Sequence, residues 1–333
     1  MRNEATGPLS GLLGRSTAMK SLRDEIAQVG PSDLRILIRG ETGTGKEQVA
    51  RALHAISLRA RVPLVPFNAA GYSDELVEAE LFGHTRGAFT GAHMAREGYV
   101  AAAEHGTLFL DEVADLTSRT QAKLLRFLDD GEYHRLGETG ARRADVRVLS
   151  ATNVDLSERV RQHRFREDLW YRLKDHCILV PPLREREGDV LFLARHFLHQ
   201  GARSEGREPR LGREAETAIA RYSWPGNVRQ LEREMRRAAV MAGGGVVELS
   251  HLSDDVRQCE PAGGGDLRAA RDEFERDYVR RVVDRHDGMR TAAAAELGIT
   301  RQALFAKIRR LRVFAEGSGD AQSSLRDERR PRV

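Results

Sequence analysis

Two short stretches carry residues that could do chemistry. GETGTGKE (40–47) places Gly40, Gly43 and Gly45 just ahead of Lys46, the spacing G-x-x-x-x-G-K. Such glycines let successive backbone N–H groups turn into one concavity, and a following helix adds its positive end. Lys46 could then reach a β- or γ-phosphate. Glu41, Thr42 and Thr44 complete the loop, and Glu47 stands where a Ser or Thr hydroxyl usually meets Mg²⁺. GTLFLDE (106–112) ends an apolar run on Asp111 and Glu112. At the carboxyl end of a strand, Asp111 could hold Mg²⁺ and Glu112 could polarise an attacking water. A solvated acidic turn would read the same in isolation. The phosphate loop beside it gives the pair a purpose.

Other residues would join that edge. Asn68 ends VPFN, and Asn153 ends VRVLSATN. A carboxamide there can bond a carboxylate or orient a water, or simply serve a turn. FREDLWYRLKDH carries Arg166 and Arg172. Each could stabilise γ-phosphate charge from a neighbouring subunit, or form a surface salt bridge. Arg229 in WPGNVRQLE opens a helix and could fold over a nucleotide. GAFTGA, residues Gly87, Ala88, Phe89, Thr90, Gly91 and Ala92, has no acid, base or metal ligand. It is too glycine-rich for a stable helix and poor in branched residues for a strand.

The elements that would position these groups follow from apolar periodicity. LRILIRG (34–40), VPLVPF (62–67), GTLFLDE (106–112) and VRVLSATN (146–153) are strand-length apolar runs, as in a parallel sheet buried on both faces. Helical patterns such as EQVARALHAISLRA and SRTQAKLLRFLDDG alternate with them, which predicts an α/β sandwich. After Pro181-Pro182 the strands stop, and DVLFLARHFLHQGAR, REAETAIARYS and NVRQLEREMRRAAVMAGG read as three helices. The expected divisions are a short extension (1–11), the sandwich (12–182), a helical subdomain (183–245), a linker (246–266), a second helical unit (267–312) and a disordered tail (313–333).

In that second unit, Leu267, Ala270, Phe274, Tyr278 and Val282 mark one helical face. TAAAAELGITRQALFAKIRRLR then reads as a short helix, a turn at Gly298, and a second helix capped by Thr300. As a helix-turn-helix it would set Arg301 and Gln302 against base edges and Lys307, Arg309 and Arg310 against phosphates. A small bundle with a basic solvated face is the alternative.

Composition bounds these readings. The chain has 333 residues, 31% charged and 40% hydrophobic, with a net charge of +4, the balance of a soluble globular protein of more than one domain. No apolar run reaches the ~18 residues of a membrane span, and the first residues lack a signal peptide's apolar centre. Cys177 and Cys259 fit no zinc or disulfide pattern, so the cytoplasm is the expected setting. Lysine occurs only at Lys20, Lys46, Lys123, Lys174 and Lys307. The arginine excess is general, so it does not by itself argue for nucleic acid.

In combination these motifs resemble one family, the bacterial enhancer-binding activators of sigma-54 RNA polymerase, which are AAA+ ATPases. The resemblance runs from about Leu12 to Arg312, and GAFTGA is the family signature. Members tend to carry Glu after the loop lysine, as Glu47 does here. The resemblance implies an α/β fold class: an AAA+ three-layer α/β/α sandwich with a helical lid, plus an all-α C-terminal helix-turn-helix domain of Fis type. It implies ATP and Mg²⁺ as cofactors, Asn68 as a restraint on Glu112, Asn153 as first sensor of the γ-phosphate, Arg166 and Arg172 as fingers in trans, and Arg229 as second sensor. GAFTGA would grip sigma-54, with Phe89 and Thr90 exposed at its tip, and residues 128–146 would form a second loop moving beside it.

The implied function is a DNA-bound activator. It would dimerise on DNA upstream of promoters, assemble into a hexameric ring, and use ATP hydrolysis to convert closed sigma-54 holoenzyme complexes into open ones. The chain departs from the pattern in having Ala101 where members carry an acid that relays nucleotide state, although Arg135, a partner in that relay, is present. No receiver domain fits before Leu12, so a regulatory protein acting in trans is expected. Two other readings compete. One is a DNA-binding repressor or regulator that keeps the ATPase fold for oligomerisation, which would tend to lose GAFTGA. The other is an AAA+ unfoldase or loader, which would have no use for it.

Overall fold

The computed structural model describes residues 9, 11–201, 209–258, 275, 276, 278–283, 285, 286 and 289–311. They divide into two units, one ending at Cys259 and one beginning at Glu260.

The first unit is built on a five-stranded parallel sheet. Its strands are β1 (Ile36–Arg39), β2 (Leu64–Asn68), β5 (Thr107–Asp111), β8 (Arg147–Thr152) and β9 (His176–Leu179), in the order β2-β5-β8-β1-β9. Two hairpins interrupt the sequence: β3 (Gly83–His84) with β4 (Arg96–Glu97), and β6 (Glu132–Tyr133) with β7 (Arg142–Arg143). The helices are α1 (Thr17–Val29), α2 (Lys46–Ala55), α3 (Asp74–Phe82), α4 (Tyr99–Ala102), α5 (Ser118–Asp130), α6 (Leu156–Arg161) and α7 (Glu167–Leu173).

Strand side chains alternate between two cores, as a pleated sheet covered on both faces requires. Leu37, Leu108 and Leu110 enter one core with Phe67, Leu124, Phe127 and Leu169. Ile36, Ile38 and Phe109 enter the other with Met19, Ile26, Val49 and Leu53 from α1 and α2. Because all strands run the same way, their carboxyl ends form one edge. Asn68 lies in register with Asp111 there, and Arg39 with Thr152. β9 adds an edge strand beyond the four apolar runs. It is short, and only Ile178 of its four residues is buried, so it carries no apolar run.

The lid comprises α8 (Asp189–Gly201), α9 (Arg213–Arg221), α10 (Asn227–Met241) and α11 (Asp254–Arg257), with a two-residue parallel pair, β10 (Arg210–Leu211) and β11 (Val246–Val247). Trp224 is its largest fully buried side chain, and its indole N–H donates to Ile219 O at 2.9 Å. Val247, Leu252 and Val256 are buried in the same core. The lid therefore continues to Gln258, and the linker expected from 246 does not begin there. A two-residue strand and a one-turn helix are too short to show a period.

The second unit holds a helical stretch over 278–283, then α12 (Arg290–Glu296) and α13 (Arg301–Leu311). Its core is Val279, Val282, Val283, Ala293, Ala294 and Leu304. Val282 is on the buried face as expected, but Tyr278 is exposed. The inward stripe runs through Val279 and Val283 instead. Leu267, Ala270, Phe274 and the tail 313–333 lie outside the described residues. No helix among the described residues is long and apolar enough to cross a membrane.

Asp189 fastens the lid to the segment before α1. It is fully buried, and its carboxylate accepts from Arg15 N, Ser16 N and Ser16 Oγ. It also faces buried Arg186, whose guanidinium is pushed down to about 10 by burial and supported by Asp189. Removing one partner of a buried, hydrogen-bonded charge typically costs about 3–5 kcal/mol. Asp189→Ala is expected to lose that much in urea unfolding of the nucleotide-free protein, with Asp189→Asn losing less. A loss below about 1 kcal/mol, the range of an ordinary exposed ion pair, would show that the site is not a fastening point.

Candidate functional site

The segment from Gly40 to Gly45 joins β1 to α2, so it lies on the carboxyl edge of the sheet. Gly43 and Gly45 both take positive φ, at 81° and 101°. A side chain at Gly43 would lie 2.3 Å from Gly226 O, so only glycine fits there. Lys46 opens α2 and is almost fully buried. Its Nζ donates to Gly40 O at 3.1 Å and pairs with Glu112 Oε1 at 3.3 Å.

Asp111 ends β5, and Glu112 follows with φ 54°, a left-handed backbone rare outside glycine. Burial, then the neighbouring Glu112 carboxylate, pushes the Asp111 carboxyl up. A carboxylate so placed is stabilised by a cation beside it, so the strand end suits a metal ion. Asn153 N donates to Glu112 Oε2 at 3.2 Å, and Asn153 Nδ2 donates to Thr42 Oγ1 at 3.0 Å.

Two contiguous cavities lie along this edge. A polar one of about 280 Å³ is lined by Thr42, Gly43, Lys46, Asp111, Glu112 and Arg229. An apolar one of about 490 Å³ is lined by Leu12, Leu13, Met19, Val180, Phe197 and Val228. Both include Gly45, Gln48, Val228 and Glu232. Polar space for phosphates running into apolar space for a flat base suits a nucleotide.

The structure brings together most of the residues singled out, but not all. Lys46, Asp111, Glu112, Thr42, Asn153 and Arg229 touch or line one site. Asn68 does not reach Glu112. Its Oδ1 accepts from Ala70 N at 3.0 Å and caps a short turn. Glu112 is held by Lys46 and Asn153 N instead. Glu47 lines the polar cavity and pairs with Arg51 at 2.6 Å. Arg166, the N-cap of α7, and Arg172, in its last turn, line neither nucleotide cavity. Arg166 pairs with Asp168 at 2.7 Å and Arg172 with Asp129 at 2.7 Å, each about half-exposed. Asn227, Arg184 and Glu232 had no motif to mark them. For Asn227 a signal did exist, because an Asn after Gly226 at a helix start is a residue type that tolerates φ > 0.

GAFTGA forms the tip of the β3–β4 hairpin. Gly87 N donates to Ala92 O at 2.8 Å and Ala92 N to Phe89 O at 3.0 Å, with Gly87 and Gly91 at positive φ. Thr90 is exposed. Phe89 is half-buried and packs edge-on against His84, ring centroids 5.1 Å apart. It is less exposed than a bare tip would make it. Leu136 in the second loop exchanges backbone hydrogen bonds with this hairpin, to Gly83 O and from Thr85 N. Arg135 pairs with Glu97 at 3.1 Å and with Glu138 at 2.8 Å. Arg135, with Arg142, holds Glu138 down to about 2. Ala101 packs against the core.

In the second unit, Gly298 takes φ 65° at the turn, and Thr300 Oγ1 accepts from Ala303 N at 3.2 Å as the N-cap. Arg301 and Gln302 are exposed on the first turn of α13. Lys307 and Arg310 both pair with Glu275, the latter at 2.6 Å, so each already has a carboxylate partner. The side chain of Arg309 lies outside the described residues.

Comparison with known proteins accords with this division. Residues 12–179 match the sigma-54 interaction domain, 184–266 the AAA+ ATPase lid domain, and 270–311 the bacterial regulatory protein, Fis family. The chain is 44% identical over 308 residues to the alginate biosynthesis transcriptional regulatory protein AlgB of Pseudomonas putida, covering 92% of this chain and 68% of that one. It is 41% identical over 302 residues to the transcriptional regulatory protein ZraR of Escherichia coli, covering 90% and 68%. The crystal structure of NtrX from Brucella abortus in complex with ATP is similar at a TM-score of 0.69 and 36% identity, over 93% of this chain and 70% of that one. The chain therefore belongs to the sigma-54-dependent transcriptional activators, AAA+ ATPases that bind nucleotide, act on sigma-54 RNA polymerase, and bind DNA through a Fis-type helix-turn-helix.

Proposed function

We propose that this chain works as a DNA-tethered hexameric ring in the cytoplasm, hydrolysing Mg²⁺-ATP at subunit interfaces to open sigma-54 promoter complexes. One observation carries the reading. The GAFTGA hairpin is inserted between β2 and β5, neighbouring strands whose last residues, Asn68 and Asp111, sit side by side on the nucleotide edge. A shift at that edge has a short mechanical route to the hairpin.

Within the site, Lys46 exchanges Glu112 for phosphate oxygens, which leaves Glu112 to polarise water. Asp111 would hold Mg²⁺, which would supply charge neutralisation for the phosphates. Asn153 and Arg229 contact the phosphates from β8 and from the lid. Arg166 and Arg172 serve a neighbouring subunit's site, a reading supported by their lying outside the lining of both nucleotide cavities. Thr90 and Phe89 meet sigma-54. Arg301 and Gln302 read bases, and the C-terminal unit pairs two chains on upstream DNA.

The central test is transcription from a sigma-54 promoter with purified components. Asp111→Asn should abolish ATP hydrolysis and open-complex formation. It should also raise the melting temperature of the nucleotide-free protein, because a carboxylate disfavoured first by burial and then by the charge of Glu112 is neutralised, by about 2–4 °C for each ~1 kcal/mol gained. Full activation by this variant would sink the reading.

Two further substitutions separate the parts. Phe89→Ala should leave ATP hydrolysis largely intact and abolish sigma-54 binding in the complex trapped with a transition-state-like nucleotide analogue; unchanged binding would show that the loop is not the contact. Arg301→Ala should weaken specific DNA binding by about 1–3 kcal/mol and relax preference at one position. An equal loss on all sequences, measured by fluorescence anisotropy, would make it a phosphate contact.

A further inference from the structure

The outer side of the phosphate loop is held from the lid. Arg184 pairs with both oxygens of Glu41, at 2.6 and 2.8 Å. Asn227 Nδ2 donates to Glu41 Oε2 and to Thr42 O, both at 3.1 Å. Arg229 N donates to Gly43 O at 3.2 Å. Arg186, almost fully buried, donates to Thr44 O at 2.7 Å and to Pro181 O. Four consecutive loop residues thus meet four residues from the stretch 184–229.

Asn227 is the joint of this arrangement. It is fully buried, and its Oδ1 accepts from Leu183 N at 2.8 Å. One side chain therefore ties the chain entering the lid, the start of α10 and the phosphate loop together. Its backbone sits at φ 53°, a conformation that costs a non-glycine residue free energy. The amide is the group that fits. It gives two hydrogens to two acceptors and takes one hydrogen from a third partner. An aspartate of the same shape would set acceptors against acceptors.

We propose that Asn227 is a positioning residue that fixes the phosphate loop in its binding conformation from the lid side, acting through Glu41 and Thr42. The proposal deepens the nucleotide-binding reading and rests on it. Arg184, then Asn227, hold the Glu41 carboxyl down at about 2, so it stays an acceptor across the working pH range. Asn227 lines neither nucleotide cavity. Its effect passes through the loop, so it does not distinguish nucleotides by their γ-phosphate.

The test measures binding of fluorescent ATP and ADP analogues to the purified full chain. Asn227→Gly removes the side chain and keeps the backbone, because glycine adopts positive φ freely. It is expected to weaken both nucleotides equally, by roughly tenfold, with KM for ATP rising in parallel and kcat little changed. A contact to the γ-phosphate would weaken ATP alone. Asn227→Asp should be weaker still, and adding Glu41→Gln to it should restore part of the affinity by returning a donor to the pair. Arg184→Ala, at a side chain 45% exposed, should give the same equal loss on a smaller scale. It decides the question if the Asn227 variants fail to fold, as judged by circular dichroism. Absence of binding by the unmodified chain would instead sink the nucleotide reading itself. Dissociation constants within about twofold of the unmodified chain, for Asn227→Gly and Arg184→Ala alike, would overturn the proposal.

Discussion

A loop that turns its N–H groups inward to hold phosphate must leave its carbonyls and outward side chains to be satisfied from behind. Buried backbone polar groups left unpaired are costly. Much else in the first unit follows from this constraint. The loop's inner face is made by β1, Gly43, Gly45 and the start of α2. Its outer face is received by Arg184, Arg186, Asn227 and the amide of Arg229. The lid is therefore part of the phosphate site's own framework as well as a cover. The tie between Asp189 and Arg15–Ser16 extends the same framework to the segment that walls the apolar cavity.

The same economy governs the acidic side of the site. Lys46 and Glu112 are close enough to pair, and both are largely withdrawn from water. An unpaired charge at that depth would be expensive. The pair holds both side chains in place, and it is made of the two groups that nucleotide chemistry would separate. Asn153 stabilises the arrangement from β8 by giving its N–H to Glu112 and its amide to Thr42. The edge of the sheet is thus cross-linked from three strands, and every link touches a group with a chemical task.

How much of this was legible in the sequence depended on how local each feature is. The phosphate loop, the Asp111-Glu112 strand end, GAFTGA and the Thr300 cap are set by residues within one turn or one strand, and fixed spacing reveals them. β9 was not, because three of its four residues are not buried. Residues 246–258 were not, because their elements are too short to have a period. Tyr278 misled because a three-to-four spacing fits more than one helical face, and the packing of Val279 and Val283 chose between them. The partners of Asn68, Arg166 and Arg172 are set by tertiary or side-chain geometry that spacing does not encode. Asn227 shows the limit most clearly. Its importance comes from contacts with residues 183, 41 and 42, and no window of sequence contains all three.

Ala101 puts no carboxylate on α4 at this position, and Arg135 finds its acidic partners elsewhere. Glu97 stands on the strand that carries the GAFTGA tip, and Glu138 stands on the second loop itself. Both pairings are made by charges on the hairpin and on the second loop. Hydrogen bonds between Leu136 and both Gly83 and Thr85 reinforce the same joint. A side chain at Gly137 would strike Thr85 and Ala88, so the two loops approach as closely as glycine permits. An acid on α4 would tie the second loop to the domain. The Glu97–Arg135 pair and these backbone bonds tie the hairpin to the second loop, while Glu138 holds Arg135 within that loop.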